Sequence, residues 1–175
     1  MPPRVAVVLG SESDRELGDK ICSILAELGI ETEYVIVSAH RDPDELEKYV
    51  ESSEVEVFVC VAGLSAALPG AIAARTLKPV VGVPRSVKLG GLDSLLSIAQ
   101  MPPGTPVACV GIDAAENAAL LAVRILAVKY PEIRERLREY YEKKIKRGLK
   151  RLELPRGAGG APQPSTSNST SRAHQ

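Results

Sequence analysis

His40 is the residue of this chain best suited to proton transfer near neutral pH. The 175-residue chain contains only two histidines, and the other, His174, is next to the C terminus. Histidine titrates close to neutrality and serves as a general acid and base. Arg41 follows it directly, and its planar guanidinium can bind a phosphate or a carboxylate through parallel hydrogen bonds. On these residues alone, a catalytic role and an incidental one both stay open.

A second candidate loop is the segment GSESD at residues 10–14. A glycine allows the chain to turn sharply off a strand, and the free N–H groups at a helix start can hold a phosphate or a ribose. Ser11 and Ser13 add hydroxyl groups to such a site. Asp14 could hydrogen-bond sugar hydroxyls, but it could equally cap the helix that follows.

Two further loops are rich in small residues. Residues 62–70 read AGLSAALPG, and the exposed backbone N–H groups of such a loop can face an anion. A tight connection between a strand and a helix requires small residues as well. Residues 84–93 contain Arg85, Lys88 and two glycines, which is typical either of a mobile cover over an anionic ligand or of solvated charges.

Short apolar segments alternate with helical segments and position these loops. The predicted strands cover residues 5–9, 33–37, 55–61, 79–83 and 107–110. The predicted helices cover residues 14–28, 43–52, 68–76, 92–99 and 114–128. This alternation predicts an α/β fold, a three-layer α/β/α sandwich with a central parallel sheet. Because such sheets bind ligands at the carboxyl ends of their strands, the loops after the first four strands should carry the function.

The chain changes character after the predicted catalytic domain of residues 1–128. Residues 129–155 are dense in Arg, Lys and Glu, with apolar side chains at helical spacing: Ile133, Leu137, Tyr140, Tyr141, Ile145 and Leu149. The pattern predicts a long C-terminal amphipathic helix, whose apolar stripe is either covered by its own chain or, as we favour, packed against another subunit. Residues 156–175 have almost no large apolar side chains, which predicts a disordered tail without a catalytic role.

Composition argues against several classes of protein. Positive and negative residues number 22 each and aromatic residues make up 3% of the chain, which disfavours a nucleic-acid-binding protein. No segment approaches the roughly 18 consecutive apolar residues of a membrane span, and the N-terminal residues are not typical of a signal peptide. We therefore expect a soluble, cytoplasmic protein without a membrane partner. The dispersed Cys22, Cys60 and Cys109 are predicted to be reduced core cysteines.

Motifs of the common cofactor and hydrolase sites are missing. There is no GxGxxG or Walker motif, so neither a dinucleotide nor a nucleoside triphosphate is predicted. No residues have metal-ligand spacing, and Ser65 lacks the GxSxG elbow of a hydrolase. The residues alone predict an enzyme without an evident cofactor that transfers protons on a small anionic, phosphorylated substrate.

Taken together, the loops resemble one known family. The motifs are GSxSD at 10–14, SAHRxP at 38–43, AGxxAxLPG at 62–70 and GLDSLLSIAQMPPGTPVACVGI at 91–112. Their order and spacing resemble the N5-carboxyaminoimidazole ribonucleotide mutases of purine biosynthesis, over residues 5–128. The resemblance implies a flavodoxin-like sandwich, a homo-octamer with active sites near subunit boundaries, and an isomerase without a cofactor.

The resemblance also implies roles for individual residues. In that family the histidine of SAHR, here His40, is the general acid and base. The first two loops hold the ribonucleotide, here through Ser11, Ser13, Asp14, Ser38 and Arg41. The third loop, here residues 62–70, surrounds the base and the migrating carboxylate, with Ala62, Gly63, Leu64 and Ser65 as its predicted contacts. The implied reaction moves a carboxylate from N5 to C4 of the ribonucleotide, with CO2 and aminoimidazole ribonucleotide as intermediates.

The third loop departs from the mutase pattern. The mutases usually carry a histidine in this loop, as AAHLPG, where the chain has Ala67. Leu64 and Ser65 also approach the AGRS pattern of the related aminoimidazole ribonucleotide carboxylases, which use free CO2. In contrast, SAHR and LPG are the mutase forms of their motifs. The alternatives to a mutase are therefore a carboxylase that uses free CO2 and a ribonucleotide-binding protein without catalytic activity.

Overall fold

A five-stranded parallel sheet forms the centre of the fold in the computed structural model, which describes residues 4–152. The strands are β1 (Arg4–Leu9), β2 (Glu31–Ile36), β3 (Val57–Ala62), β4 (Val80–Pro84) and β5 (Ala108–Cys109). Their order across the sheet is β2-β1-β3-β4-β5, and every neighbouring pair is parallel. This is the strand order of the flavodoxin-like sandwich, so the predicted fold class is confirmed.

Helices cover both faces of the sheet. They are α1 (Arg15–Glu27), α2 (Pro43–Ser52), α3 (Leu68–Ala73), α4 (Leu92–Ala99), α5 (Ala115–Lys129) and α6 (Pro131–Tyr140). Buried side chains of α1, α5 and α6 form one core with the sheet, and those of α2, α3 and α4 form the core on its other face. The two layers of helices account for the alternation of apolar strands and helices in the sequence.

Strand β1 shows how the sheet is buried on both faces. Val5, Val7 and Leu9 belong to the core of α1, α5 and α6, and Ala6 and Val8 belong to the opposite core. All five are fully buried. Because successive side chains of a strand point to opposite faces, a strand covered on both sides has to be apolar throughout.

The amphipathic helix predicted for residues 129–155 is shorter in the structure. Helix α6 ends at Tyr140, a π-helical turn follows at Tyr141–Ile145, and residues 146–152 contain no helix or strand. Ile133 is 0% exposed within the core of its own chain, whereas Leu149 is 86% exposed. Since a helix in a protein is stabilised mainly by burying an apolar face, regular structure ends where that burial ends.

The division of the chain at residue 145 follows from the same change. Within the described residues, residues 4–145 belong to one compact unit and residues 146–152 lie outside it. Contact between the C-terminal helix and another subunit stays a prediction, and the tail predicted at 156–175 lies outside the described residues. None of the helices in residues 4–152 has both the length and the apolar content that crossing a lipid bilayer requires.

Candidate active site

Three loops at the carboxyl ends of β1, β2 and β3 surround a cavity of about 380 Å³. These strands are neighbours in the sheet, so the loops that follow them leave from the same edge. All the residues predicted for the site line this cavity: Ser11, Ser13, Asp14, Ser38, His40, Arg41, Ala62, Gly63, Leu64 and Ser65. The structure therefore brings the predicted residues together, while their individual roles stay predictions.

In the first loop, Ser11 caps the helix start, and Asp14 does not. The Ser11 Oγ accepts hydrogen bonds from the backbone N–H of Ser13 at 3.3 Å and from the Ser13 hydroxyl at 3.2 Å. It caps the 3₁₀ turn Glu12–Asp14, which precedes α1, and Asp14 makes no capping hydrogen bond with its side chain. The Asp14 carboxylate is therefore available for another partner.

That partner is Arg85, which follows β4. Asp14 is 3% exposed although it lines the cavity, and its Oδ1 lies 3.2 Å from Nη1 of Arg85. Burial raises the pKa of the Asp14 carboxyl above its usual value, and Arg85, with the backbone N–H groups of Ser11 and Gly10, opposes this rise by favouring the charged form. Arg85 is therefore not the solvated charge that the sequence left open, because it pairs with a carboxylate of its own chain.

The second loop presents the two side chains predicted to be functional, His40 and Arg41, from a closed turn. The backbone N–H of Arg41 donates to the Ser38 Oγ at 3.2 Å, and that of Asp42 donates to the Ser38 carbonyl at 2.9 Å. His40 and Arg41 are both exposed at the wall of the cavity. Among residues 4–152, neither of these two side chains has a hydrogen-bond or ion-pair partner, so both can contact a ligand.

The third loop holds its backbone in an unusual conformation. Leu64 and Ala66 have φ angles of 53° and 43°, in the left-handed region that residues other than glycine rarely adopt. A Cβ on Gly63 would lie 2.6 Å from Cγ2 of Val87, so a larger residue here would displace the Val87 side chain of the loop after β4. Each left-handed residue of this kind costs about 1–2 kcal/mol. Such strain concentrates at functional sites.

Six residues beyond the predicted set also line the cavity: Gly10, Ala39, Ala66, Ala67, Leu68 and Val87. They are small or apolar and carry no chemical group that a sequence pattern would single out. The sequence indicated Arg85 only as a possible anion contact. Its pairing with Asp14 was not predicted, because the two residues are 71 positions apart in the chain and no local pattern links them. The available indication was its place directly after a strand, at the edge of the sheet where the ligand was predicted.

Together these groups suit a phosphorylated sugar. Arg41 can pair with a phosphate, the serine hydroxyls can donate to it, and the Asp14 carboxylate can accept hydrogen bonds from sugar hydroxyls. His40 is then the group that can move a proton on whatever the sugar carries. Within the described part of the chain, no three His, Cys, Asp or Glu side chains are placed to hold a metal ion.

Comparison with known proteins identifies relatives along most of the chain. A sequence model of the family described as AIR carboxylase (AIR, aminoimidazole ribonucleotide) matches residues 4–147. The N5-carboxyaminoimidazole ribonucleotide mutase of Methanocaldococcus jannaschii is 51% identical over 143 residues, which cover 82% of this chain and 91% of that protein. The mutase of Pyrococcus abyssi is 50% identical over 144 residues, covering 80% of this chain and 83% of that protein.

Solved structures agree with the sequence comparison. The crystal structure of Treponema denticola PurE superposes with a TM-score of 0.73 at 32% sequence identity. The match covers 81% of this chain and 90% of that one.

Proposed function

The chain belongs to the AIR carboxylase family, and on this premise we propose that it is an N5-carboxyaminoimidazole ribonucleotide mutase of purine biosynthesis. Curated relatives of that name are about half identical to the chain, which covers most of their length. The observation that carries the proposal is the cavity, where His40 and Arg41, without a side-chain partner in the described part of the chain, share the wall with the buried Asp14. An isomerase that relies on protein side chains requires an acid–base group and an anion site in one place.

The substrate is held by the first two loops. Arg41 and the hydroxyls of Ser11 and Ser13 bind the phosphate, and Asp14 accepts hydrogen bonds from the ribose hydroxyls. Ser38 keeps the turn closed through its hydrogen bond with the Arg41 backbone. This arrangement directs the imidazole ring of the nucleotide toward His40 and the third loop.

His40 serves as both acid and base in the reaction. It gives a proton to the exocyclic N5 as the N5–carboxylate bond breaks, which leaves CO2 and aminoimidazole ribonucleotide. The ring carbon C4 then attacks CO2 to form the new C–C bond, and His40 takes the C4 proton. One proton is given and one is recovered, so His40 ends the cycle in its starting state.

The third loop has to retain CO2 between the two steps. Ala62, Gly63, Leu64 and Ser65 line the cavity next to the loop that carries His40. Apart from the Ser65 hydroxyl, these residues offer no nucleophile, and a site that closes over its substrate limits the loss of a neutral intermediate. Two residues of this loop, Leu64 and Ala66, have left-handed backbone conformations.

A second candidate is the carboxylase that uses free CO2. It is favoured by Ala67, which lines the cavity where the mutases usually carry a histidine. In this alternative, His40 and the ribonucleotide site keep their roles, and CO2 enters from solvent instead of from the substrate.

Separate incubations with two substrates distinguish these candidates. The mutase forms the C4-carboxylated product from the N5-carboxylated ribonucleotide without added bicarbonate. Product that forms only from aminoimidazole ribonucleotide and high bicarbonate would overturn the mutase in favour of the carboxylase. Saturable binding of aminoimidazole ribonucleotide without product from either substrate would show a binding protein without catalytic activity.

We also propose that the chain works as a cytoplasmic homo-octamer, as the family resemblance implies. Its three cysteines are free, which suits a reducing compartment. Apolar side chains such as Leu92 and Leu96 of α4 are about half exposed in the single chain and would be covered by assembly.

A further inference from the structure

We propose that Arg85 is a positioning residue, which holds the Asp14 carboxylate at the cavity wall so that it can accept a hydrogen bond from a sugar hydroxyl of the substrate. This inference rests on the proposed function, because it assumes a ribonucleotide in the cavity. It assigns to the fourth loop a role that neither its sequence nor the family resemblance provides.

The ion pair is placed behind the cavity. Asp14 lines the cavity, whereas Arg85 does not. The side chain of Asp14 is 4% exposed and that of Arg85 is 24% exposed, with 3.2 Å between Oδ1 and Nη1. A carboxylate buried to this extent is costly unless it is paired and hydrogen-bonded. Arg85 supplies the counter-charge and leaves the cavity side of Asp14 open to a ligand.

Arg85 is itself held by two neighbouring elements. Its backbone N–H donates to the Ala62 carbonyl at 3.0 Å, at the end of β3. Its carbonyl accepts a hydrogen bond at 2.9 Å from the hydroxyl of Ser94, which is fully buried in α4. The position of the Asp14 carboxylate is therefore tied to the end of β3 and to α4 through a single side chain.

The other charged groups near Asp14 do not replace Arg85. Glu12 of the same loop pairs at 2.8 Å with Arg15, the first residue of α1. His40 and Arg41 project from the second loop and face the cavity, and residues 62–68 include no ionisable side chain. Lys88 of the fourth loop is exposed. Among residues 4–152, Arg85 is the one ion-pair partner of Asp14.

Loss of Arg85 should therefore weaken binding in a way that depends on pH. Burial already favours the protonated form of Asp14, and Arg85 opposes it. Without the guanidinium, the carboxyl takes up a proton at a higher pH, and a protonated carboxyl is a poorer acceptor for a hydroxyl. The pH below which substrate affinity declines should move upward.

The experiment measures the Kd of aminoimidazole ribonucleotide by calorimetry between about pH 5 and 8, with kcat and KM on the carboxylated substrate. Arg85→Met should raise Kd roughly 10-fold or more at neutral pH, as for a lost charged hydrogen bond. It should shift the pH profile upward and change KM more than kcat, and Arg85→Lys should restore part of the affinity. Arg138→Met, which removes an arginine–glutamate pair (3.3 Å) on the surface of α6, away from the cavity, is the control and should bind normally.

A double-variant cycle excludes a merely structural effect. In an Asp14→Asn background, Arg85→Met should have little further effect on Kd, because Arg85 acts through Asp14. Independent, additive losses or an unshifted pH profile would overturn the proposal, even for a variant of reduced stability. If the unaltered chain neither binds aminoimidazole ribonucleotide nor turns over the substrate, the proposed function fails instead.

Discussion

At the scale of single residues, His40 and Arg41 owe their positions to a short turn that Ser38 closes with its own hydroxyl and carbonyl groups. The turn contains its own hydrogen bonds, so its geometry is local. Asp14 is the opposite case, because its side chain depends on Arg85 from a distant part of the chain. The proposed catalytic group, His40, and the proposed sugar-binding group, Asp14, should therefore be separable by mutation.

Replacing His40 with asparagine should abolish most of the activity and leave binding nearly intact. Asparagine keeps a polar side chain of similar size but cannot transfer a proton at neutral pH, so kcat should fall roughly 10²- to 10⁴-fold. The affinity for aminoimidazole ribonucleotide should remain close to normal. His174→Asn, which changes the other histidine of the chain, is the control and should be fully active. A His40→Asn enzyme with normal kcat would remove this residue from the mechanism.

The cysteine thiols should be unreactive in the native protein. Burial raises the pKa of the Cys60 thiol, which is fully buried. The pKa of the Cys22 thiol is raised to about 11, mainly by burial and to a smaller extent by the negative charge of Asp19. Burial also raises the pKa of Cys109. Because the thiolate is the reactive form, labelling with a disulfide reagent should be slow near neutral pH and faster toward pH 11. All three should react after denaturation; rapid native labelling would contradict the described burial.

Sequence could predict the residues of the cavity but not the pairing between them. His40, Arg41 and the serines follow apolar strands, and parallel topology brings the ends of those strands together. The Asp14–Arg85 pair depends on how far β4 lies from β1 and on the depth of the cavity wall, which no local pattern encodes. The sequence also left open whether Asp14 caps the helix that follows it. In the structure the capping residue is Ser11.

At the scale of elements, Glu56 joins the start of β3 to the junction of α5 and α6. It accepts a hydrogen bond from Lys129 at 2.8 Å and from the Tyr130 hydroxyl at 2.7 Å. Burial alone would raise the pKa of Glu56. The hydrogen bonds from Lys129 and Tyr130 and the charge of Lys129 together outweigh this effect, so the pKa lies below the usual 4.5. A carboxyl with a lowered pKa stabilises the fold above its unfolded pKa, and this contribution is lost as pH falls through the folded value.

Glu56→Gln should therefore reduce the free energy of unfolding near neutral pH by about 1 kcal/mol, since the pair is partly exposed. The difference from the unaltered protein should shrink as pH falls below about 4.5. Urea denaturation at several pH values measures it, with the exposed Glu51→Gln as the control. A difference that grows in acid would contradict the lowered pKa.

Helix α6 should contribute strongly to stability, because it folds back onto its own chain. Ile133 is 0% exposed, so Ile133→Ala should cost about 2–5 kcal/mol in urea denaturation at a fixed protein concentration. Val128, at the end of α5, is 81% exposed, and Val128→Ala should change stability by no more than about 0.5 kcal/mol. Equal effects of the two substitutions would show that α6 does not pack as described.

The elements most accurately predicted are those whose burial is encoded locally. The apolar runs of β1 and β3 and the proline that begins α2 mark their elements in the sequence. The predicted C-terminal helix was too long because helical spacing of apolar residues continues to Leu149, whereas burial does not. Periodicity indicates which face a helix would bury, but the presence of a surface to bury it against is a tertiary property.

At the scale of the whole molecule, the exposed apolar side chains of the single chain favour assembly with further copies. Leu77 is fully exposed, and Leu89 is 79% exposed, which is unfavourable for apolar side chains in water. Sedimentation equilibrium should give eight times the chain mass of 18.7 kDa. A monomer at micromolar concentration would contradict the proposed octamer without affecting the site within one chain.

The fate of the carboxylate tests the proposed function most directly. The N5-carboxylated ribonucleotide, labelled with ¹³C in its carboxylate, is incubated with the enzyme in buffer containing unlabelled bicarbonate, and the C4-carboxylated product is analysed by mass spectrometry at early times. If His40 and the third loop move CO2 within one closed site, the product keeps the ¹³C label at every bicarbonate concentration. A product whose carboxylate comes from the bicarbonate would contradict the mutase and support the carboxylase.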